Sequence, residues 1–269
     1  MIFKRISPGT RGRLICGLAA LVAVVLPAAC SQASHGISSH DVVFDNIHYR
    51  VVTVDTADLS LHWRDPATGK PFSSIHALQQ WGATNGRQLL FAANAGIYDA
   101  QGEPLGLYVE DGKALKPLNT AHGNPASGNF SLLPNGVFAI DANGRASVQT
   151  TSDFAAAHAQ PRWATQSGPM LVIDGKINAS FDVGSDSTKW RSGVCAPRPD
   201  EAVFAASTAP VNFHEFSRLF HDKLGCRNAL YLDGTLSQIY VDGDYYGAPA
   251  FMVKPYAGMF AVFATAKRG

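Results

Sequence analysis

The stretch EAVFAASTAPVNFHEFSRLFHDKLGCRNALYLDG (residues 201–234) decides the fold class. Its two ends, residues 201–206 and 229–232, are short apolar runs that predict strands, and residues 212–224 between them predict a helix. A strand, a helix and a second strand in succession are typical of a crossover between parallel strands. The stretch therefore predicts a parallel pair in the sheet.

The helix in the middle of this stretch has recognisable ends. Asn212 and Glu215 stand at the spacing of a capping box, with Asn in place of Ser or Thr, and Gly225 is a typical stop. The apolar side chains recur at helical spacing, which predicts that this face packs into the core rather than binding a ligand. They are Phe213, Phe216, Leu219, Phe220 and Leu224.

Outside this stretch the chain alternates strands with tight turns. Residues 49–54 alternate as a half-buried strand does, and residues 73–83 predict a second helix with serines at its start. We therefore predict a single α+β domain, with a mixed, largely antiparallel twisted sheet, hairpins and a few packing helices. The turn dipeptides that favour hairpins are Asp111-Gly112, Asn135-Gly136, Asn143-Gly144, Asp174-Gly175 and Asp242-Gly243.

The N-terminus predicts export. Residues 1–30 combine a basic start, an apolar run too short to favour a membrane span, and small residues at the end, as a secretory signal does. Cys30 resembles the acylated cysteine of a bacterial lipoprotein, and ordinary cleavage after Ala33 is the alternative. Residues 31–41 are predicted to be a flexible tether and residues 42–266 the folded domain. The expected location is the periplasm or, through a lipid anchor, a membrane of the bacterial envelope.

The charge of the mature chain disfavours one class of partner. Removing residues 1–30 takes four of the 22 Lys and Arg residues and none of the 21 Asp and Glu residues, which leaves a net charge of −3. No basic stripe remains to neutralise a phosphate backbone, so we expect no nucleic-acid partner. Contact with a membrane is expected only through a lipid at Cys30.

Two cysteines remain after that removal. Cys195 and Cys226 are an even pair in an oxidising compartment, which favours a disulfide. Two buried free thiols are the alternative. A metal site is less favoured, because no His or second Cys stands at ligand spacing from either residue.

Polar residues at the ends of strand-like runs are the candidates for chemistry, since a rigid strand positions a side chain while the next loop leaves room for a ligand. Asp233 follows the apolar run 229–232, and Asn94 follows the run 89–93. A role in forming a turn is the alternative for both residues. Together they offer a carboxylate and a neutral donor-acceptor to a polar ligand.

Two further segments have the same character. Gln166, Ser167 and Gly168 precede Pro169, which fixes the direction of the loop. Ser167 lies outside a G-x-S-x-G elbow, so a serine hydrolase is not favoured. Arg191 is followed by small residues and suits bidentate capture of a phosphate or carboxylate, with a surface salt bridge as the alternative.

Taken together, four segments resemble the phosphodiester glycosidase (uncovering enzyme, N-acetylglucosamine-1-phosphodiester alpha-N-acetylglucosaminidase-like) family. That family has Asn-Gly-Gly-Phe-Phe after one strand, a Ser-Gly-Pro stretch followed by a strand and an Asp-Gly turn, an Arg opening the next strand, and Asp-Gly-Gly-Gly-Ser after a helix and a strand. Residues 128–140 also resemble a mostly uncharacterised bacterial subgroup. The matching segments, in the same order, are NAGIYD (94–99), QSGPMLVIDGK (166–176), the Arg191 segment and LDGTLS (232–237).

The resemblance implies an activity and a set of roles. Family members hydrolyse a sugar-1-phosphodiester and release the sugar and a phosphomonoester. By analogy, Asp233 and Asn94 lie in the pocket, Arg191 faces the phosphate, and Ser237 matches the Ser that ends the glycine-rich motif. Thr235-Leu236 replaces two glycines of that motif, so the identity of the substrate is not implied.

Glycosyl transfer usually needs two carboxylates, although a phosphate is already a good leaving group. We expect Asp233 to be the base or the nucleophile and either Asp99 or Glu103 to be the second carboxylate. The other expected substrate contacts are Gly96, Gln166, Ser167, Gly168, Gly234, Thr235 and Ser237.

The expected function is hydrolysis of a sugar-1-phosphodiester in an envelope glycan or glycolipid. No cofactor is expected to be required, and a bound divalent cation is left open, although the chain has no D-x-[DN]-x-[DN]-G loop. Two alternatives remain at this point. One is a metal-assisted phosphodiesterase on the same fold, and the other is a non-catalytic envelope lipoprotein that binds glycans.

Overall fold

Antiparallel strands dominate the computed structural model, which describes residues 1–3, 36–121, 125–233, 237–252 and 255–265. The strands of this described part are β1 (Ile37–Phe44), β2 (Ile47–Asp55), β3 (Ser60–His62), β4 (Arg87–Asn94), β5 (Tyr108–Glu110), β6 (Lys113–Lys116), β7 (Gly136–Ile140), β8 (Ala146–Thr150), β9 (Trp163–Ser167), β10 (Met170–Ile173), β11 (Lys176–Ile177), β12 (Ser192–Arg198), β13 (Glu201–Ser207), β14 (Ala229–Asp233), β15 (Gln238–Val241), β16 (Asp244–Gly247) and β17 (Met259–Thr265). The helices are α1 (Ile75–Thr84), α2 (Thr151–Ala156), α3 (Phe213–Arg218), a π-helical turn that continues α3 (Leu219–Lys223), and 3₁₀ helices at Pro125–Ser131 and Ala250–Met252. None of the described helices has the length and apolarity needed to cross a bilayer.

The strands form three sheets, and every pairing between described strands is antiparallel. The seven-stranded sheet has the order β1-β2-β13-β12-β14-β10-β11. A second sheet has the order β16-β15-β4-β17-β3, and a third has the order β6-β5-β9-β7-β8. The prediction of a sheet-dominated fold with few helices is confirmed.

The predicted parallel pair is wrong, and the reason lies in β12. Strands β13 and β14 run in the same direction, but β12 lies between them and pairs with both in the antiparallel sense. The hairpin of β12 with β13 already occupies the edge to which β14 would otherwise pair. The crossover through α3 therefore passes over one strand, and the sheet is antiparallel rather than mixed in its described pairings.

The core lies where the three sheets meet. Phe204 of the seven-stranded sheet has its ring centroid 4.9 Å from Phe91 and 5.0 Å from Phe260, both of the second sheet. Phe138 of the third sheet lies 5.4 Å from Phe260. All four rings are fully buried, so the sheets share one apolar core.

The helix predicted over residues 212–224 begins as expected. Asn212 Oδ1 accepts the Glu215 N–H, and the Glu215 carboxylate accepts the Asn212 N–H, which completes the capping box. The helix ends at Gly225, which has the φ of +64° that glycine adopts without strain. Its predicted apolar face packs against the seven-stranded sheet.

The predicted second helix, 73–83, is observed as α1 and begins slightly later. Ser74 is the N-cap, and its side chain accepts the Ala77 N–H at 3.0 Å. Leu78 and Ile75 are buried against the second sheet.

Four of the five predicted turn dipeptides lie in hairpin loops, and the fifth does not. Asn135 is buried, its side-chain amide donates to the Phe130 carbonyl at 2.9 Å, and Gly136 begins β7. The apolar residues before Asn135 belong to a loop rather than a strand, so no hairpin forms there.

The predicted boundaries near the N-terminus need one correction. Residues 37–41 of the expected tether are part of β1, because they pair with β2 along its whole length. The described residues from Gly36 onward form one compact unit. The predicted lipidation residue Cys30 and most of the predicted signal lie outside the described residues.

The predicted disulfide is confirmed. Cys195 in β12 is joined to Cys226, with their Cα atoms 6.2 Å apart. Both residues are buried beneath the helix that follows β13, so the bond fastens the end of that helix to the sheet.

Candidate functional site

Asp233 is the last described residue of β14, an interior strand of the seven-stranded sheet. It is half-buried, and its partner in the register of β12 is Ser192. Burial raises the pKa of Tyr98 and Tyr256 well above the usual value, and the Asp233 carboxylate raises each pKa further. The same two causes raise the pKa of Tyr231, against the lowering effect of Arg191. The carboxylate therefore acts on three tyrosine hydroxyls, which stay protonated as hydrogen-bond donors.

Asn94 reaches the same place from the second sheet. It is the last residue of β4, and it is fully buried. The Ser192 hydroxyl donates to Asn94 Oδ1 at 3.0 Å. Because Ser192 is also the register partner of Asp233, the structure brings Asn94 and Asp233 to one place where two sheets join.

A cleft of about 570 Å³ opens beside this place, and we call it the tyrosine cleft. Tyr98 and Tyr256 line it, and both hydroxyls lie within the field of Asp233. Tyr256 is held in place because its hydroxyl donates to Gln238 Oε1 at 3.2 Å. The remaining lining residues are Pro71, Ser73, Asp99, Ala100, Gln101, Gly102 and Pro255.

Arg191 does not have the open approach that its small neighbours predict. Its side chain is buried, with an exposed fraction of 1%. The guanidinium donates to the carbonyls of Val211 and Ser187, each at 2.8 Å, and lies 3.7 Å from the centre of the Phe213 ring. A third donation, at 3.3 Å, goes to the Tyr231 hydroxyl. Arg191 therefore supports the site through Tyr231 and is not placed as an open phosphate clamp.

The burial of Arg191 follows from how its charge is solvated. Loss of water lowers the pKa of the guanidinium, which remains charged because its ordinary pKa is so high. Backbone carbonyls and two aromatic rings replace the water. The sequence shows only the small residues after Arg191 and not the helix that covers it.

Gln166 also has a structural role rather than the predicted substrate contact. Its Oε1 accepts the N–H groups of Leu107 and Asn119, at 3.0 and 2.9 Å. Its Nε2 donates to the Asn119 carbonyl and to Thr151 Oγ1, at 2.8 and 3.0 Å. These four bonds use the full capacity of the buried amide, so it has nothing left to offer a ligand.

The small residues of the predicted site allow close packing of the backbone. Gly96 has a φ of +103°, and a Cβ there would press against β9. A Cβ at Gly168 would overlap Asn135. Ser167 is buried and donates to the Leu232 carbonyl at 3.3 Å, one residue before Asp233. These three residues therefore fix the strands around the site.

The two candidates for the second carboxylate have partners in the protein. Asp99 Oδ1 accepts the N–H groups of Gln101 and Glu103, at 3.0 and 2.9 Å, which shapes the loop along the cleft. The Glu103 carboxylate pairs with Lys116 and Arg64. Asp99 lines the tyrosine cleft, whereas Glu103 is held by its two cations.

Ser237 is hydrogen-bonded to the end of β14. It is fully buried, and its hydroxyl donates to the Asp233 carbonyl at 2.6 Å. The predicted contacts Gly234 and Thr235 lie outside the described residues. Among the residues that are described, no three His, Cys, Asp or Glu side chains are grouped so as to hold a metal ion.

The comparison with known families bears on this arrangement. Residues 87–263 match the sequence profile of the phosphodiester glycosidase family. The chain belongs to this family. The matched range contains both strand ends of the site and all three tyrosines around Asp233. Membership of the phosphodiester glycosidase family indicates a hydrolase of the glycosidase type.

Two kinds of relative accompany the match. The chain is 35% identical over 211 residues to the uncharacterized protein YigE of Escherichia coli K12, which covers 78% of this chain and 79% of YigE. The zebrafish N-acetylglucosamine-1-phosphodiester alpha-N-acetylglucosaminidase catalytic domain, auto-inhibited by its pro-peptide, has a TM-score of 0.57 at 16% identity, covering 86% of this chain and 82% of that one. A hypothetical protein from Synechocystis has a TM-score of 0.52 at 14% identity, covering 84% of this chain and 61% of that one. The two structures show a shared fold.

Several residues of the candidate site are not predicted from the sequence. Ser192 donates to Asn94 and lies opposite Asp233 in the sheet. From the sequence alone it is recognisable only as a small residue after Arg191, and neither contact is predicted. Tyr231 precedes Asp233 by two residues and so shares its face of β14, which is a usable signal. Tyr256 comes from a distant loop, and no local pattern marks it.

Proposed function

We propose that this protein is an exported hydrolase that cleaves a sugar-1-phosphodiester in an envelope glycan or glycolipid, breaking the bond between the anomeric carbon and the phosphate oxygen. Membership of the phosphodiester glycosidase family supports the reaction class. One observation carries the proposal. Ser192 donates to Asn94 and lies opposite Asp233, which brings these two residues together beside a cleft lined by tyrosines.

In this proposal the sugar occupies the tyrosine cleft, with its anomeric carbon toward Asp233. Aromatic rings provide an apolar surface for the faces of a sugar, and the protonated hydroxyl of Tyr98 is a donor for its oxygens. The Tyr256 hydroxyl donates to Gln238, so its oxygen is an acceptor for a sugar hydroxyl. The half-buried Asp233 carboxylate is the base or the nucleophile. A departing phosphate needs little help from a general acid, so the scheme does not require Asp99, the other carboxylate at the cleft, to act as one.

Arg191 contributes at a distance in this scheme. Its buried positive charge donates to the Tyr231 hydroxyl, and the Asp233 carboxylate raises the pKa of the same hydroxyl. It keeps Tyr231 in one orientation and adds positive potential beside the leaving phosphate, where negative charge develops. Direct contact with the phosphate is left to other donors.

Product analysis tests the proposed reaction. The mature protein is incubated with synthetic methyl diesters of several sugar-1-phosphates, with and without a chelator, and the products are separated. Free sugar and methyl phosphate, formed equally with and without chelator, support the proposal. Sugar phosphate formed only without chelator supports a metal-assisted phosphodiesterase instead, and binding without turnover supports a glycan-binding protein.

The proposed location has its own test. Expression of the full chain with radiolabelled palmitate, followed by membrane fractionation, is expected to give a labelled protein in the membrane fraction. Cys30→Ser is expected to lose the label and move to the soluble periplasm. An unlabelled wild-type protein in the periplasm would leave export intact and remove the lipid anchor.

A further inference from the structure

The side-chain amide of Asn94 carries an unused donor in a buried place. Its Oδ1 accepts the Ser192 hydroxyl at 3.0 Å, whereas its Nδ2 has no hydrogen-bond partner in the described part of the chain. Asn94 and Ser192 have exposed fractions of 0 and 1%. A buried polar group without a partner is costly, so its presence at the end of β4 points to a ligand that completes it.

Ser192 decides which way the amide faces. An Asn side chain presents an acceptor on one side and two donors on the other, and rotation by half a turn exchanges them. Because the Ser192 hydroxyl donates to Oδ1, the NH₂ group is turned away from Ser192. The bond also joins the seven-stranded sheet to the second sheet, so the amide is fixed by both.

The nearby carboxylate narrows the choice of ligand atom. Asp233 lies opposite Ser192 in the register of β12 and β14. A sugar hydroxyl is able to accept from the Asn94 amide and donate to the Asp233 carboxylate at once, whereas a phosphate oxygen carries a charge of the same sign as the carboxylate. The pair therefore favours a neutral hydroxyl.

We propose that Ser192 is a positioning residue that holds the Asn94 amide with its NH₂ group toward the ligand, where Nδ2 donates to a sugar hydroxyl that in turn donates to Asp233. The inference rests on the site of the proposed function and specifies its sugar contact. It does not depend on whether the bound sugar is hydrolysed.

The test is a double-mutant cycle on binding. Dissociation constants for N-acetylglucosamine, glucose and inorganic phosphate are measured by calorimetry for the wild type, Ser192→Ala, Asn94→Ala and the double variant. We expect Ser192→Ala to weaken sugar binding by about tenfold and Asn94→Ala by at least as much, the loss of one buried hydrogen bond. The double variant should be no weaker than Asn94→Ala, since Ser192 acts through Asn94.

Two more variants separate positioning from folding. Ser192→Thr keeps the hydroxyl and should bind the sugars about as tightly as the wild type. Ser192→Cys is slightly larger and donates poorly, so it should bind them as weakly as Ser192→Ala. Thr56→Val is the matched control, because the buried Thr56 donates a partly buried hydrogen bond from Oγ1 to the Gly144 carbonyl, at 2.5 Å and in another part of the fold. This control should lower thermal stability and leave sugar affinity unchanged.

Several outcomes would overturn the inference. They are unchanged sugar affinity in Ser192→Ala, additive losses in the double variant, loss of phosphate affinity in place of sugar affinity, and failure of the wild type to bind either sugar. Sugar binding that follows the expected cycle without any turnover leaves the inference standing and removes the proposed hydrolase activity. Turnover together with additive losses in the double variant would leave the proposed hydrolase activity standing and remove the inference.

Discussion

Two Asp-Gly steps stand at opposite ends of one strand pair, β10 and β14, and they behave differently. Asp174, after β10, has a φ of +48° and turns the chain into β11, with its exposed carboxylate paired to Arg227. Asp233, at the end of β14, is half-buried among tyrosine hydroxyls at the junction of two sheets. An aspartate at a strand end therefore begins a hairpin turn at one end of the pair and belongs to the candidate catalytic site at the other.

The surroundings explain the difference. At the hairpin end, water solvates the ion pair of Asp174 and Arg227, and such pairs contribute little to stability. At the site end, Asn94, Ser192 and Arg191 are buried polar side chains whose bonds run between elements. Changes at the site end should therefore affect activity, and changes at the hairpin end should affect stability or nothing.

The largest expected effect is on turnover in Asp233→Asn. Loss of the base or nucleophile should reduce kcat on the order of 10³-fold or more, because the amide neither accepts a proton readily nor attacks carbon. The melting temperature should remain close to that of the wild type. Steady-state kinetics and thermal denaturation of both proteins are the measurements, and near-normal turnover would remove Asp233 from the mechanism.

The second largest effect is on stability, through the disulfide near the hairpin end. Replacing both Cys195 and Cys226 with alanine should lower the free energy of unfolding by about 3–4 kcal/mol, because the unfolded chain loses a closed loop. Denaturant titration, with and without reductant, measures this change. Reductant should lower the free energy of unfolding of the wild type to that of the variant. At a temperature where both proteins are folded, their kcat values should be equal.

Arg191→Lys is expected to have an intermediate effect on both properties. A lysine ammonium cannot reach two carbonyls and the Tyr231 hydroxyl together, so unfolding should become easier by about 2–3 kcal/mol. kcat should fall because Tyr231 is no longer held. Arg227→Lys at the hairpin end is the control and should change neither property. Equal effects of the two substitutions would contradict the difference between the two ends.

The smallest effect is expected for Asp174→Asn. Asparagine also tolerates a left-handed backbone, and the lost ion pair is exposed. Stability should change by less than about 0.5 kcal/mol and kcat not at all. A large loss of activity in this variant would mean that the hairpin communicates with the site, and the comparison would then fail.

Local sequence patterns predict the elements better than they predict the neighbours of those elements. The capping box at Asn212 and the Asp174-Gly175 turn depend on residues close in sequence, and both form as predicted. The parallel pair fails because β12, which precedes β13, inserts between β13 and β14. Strand order depends on contacts across the whole chain, which no local spacing specifies.

In the candidate site, too, local patterns are predictable from the sequence and contacts between distant elements are not. Asp233 and Asn94 are recognisable because each interrupts an apolar run at a strand end. The buried contacts of Arg191 and Gln166 could not be predicted, because the elements that bury these residues are distant in sequence. Ser192 and Tyr256 become visible only when the two sheets and the cleft are assembled.

The central claim is that the bond between the anomeric carbon and the phosphate oxygen breaks. Hydrolysis of a sugar-1-phosphate methyl diester in water enriched in the heavy oxygen isotope, followed by mass spectrometry of the methyl phosphate, tests it most directly. The account predicts methyl phosphate without the label, because water adds to the sugar, and product release that is slower in Asp233→Asn on the order of 10³-fold or more. Label in a phosphate product would show that water attacks phosphorus, and it would contradict the account.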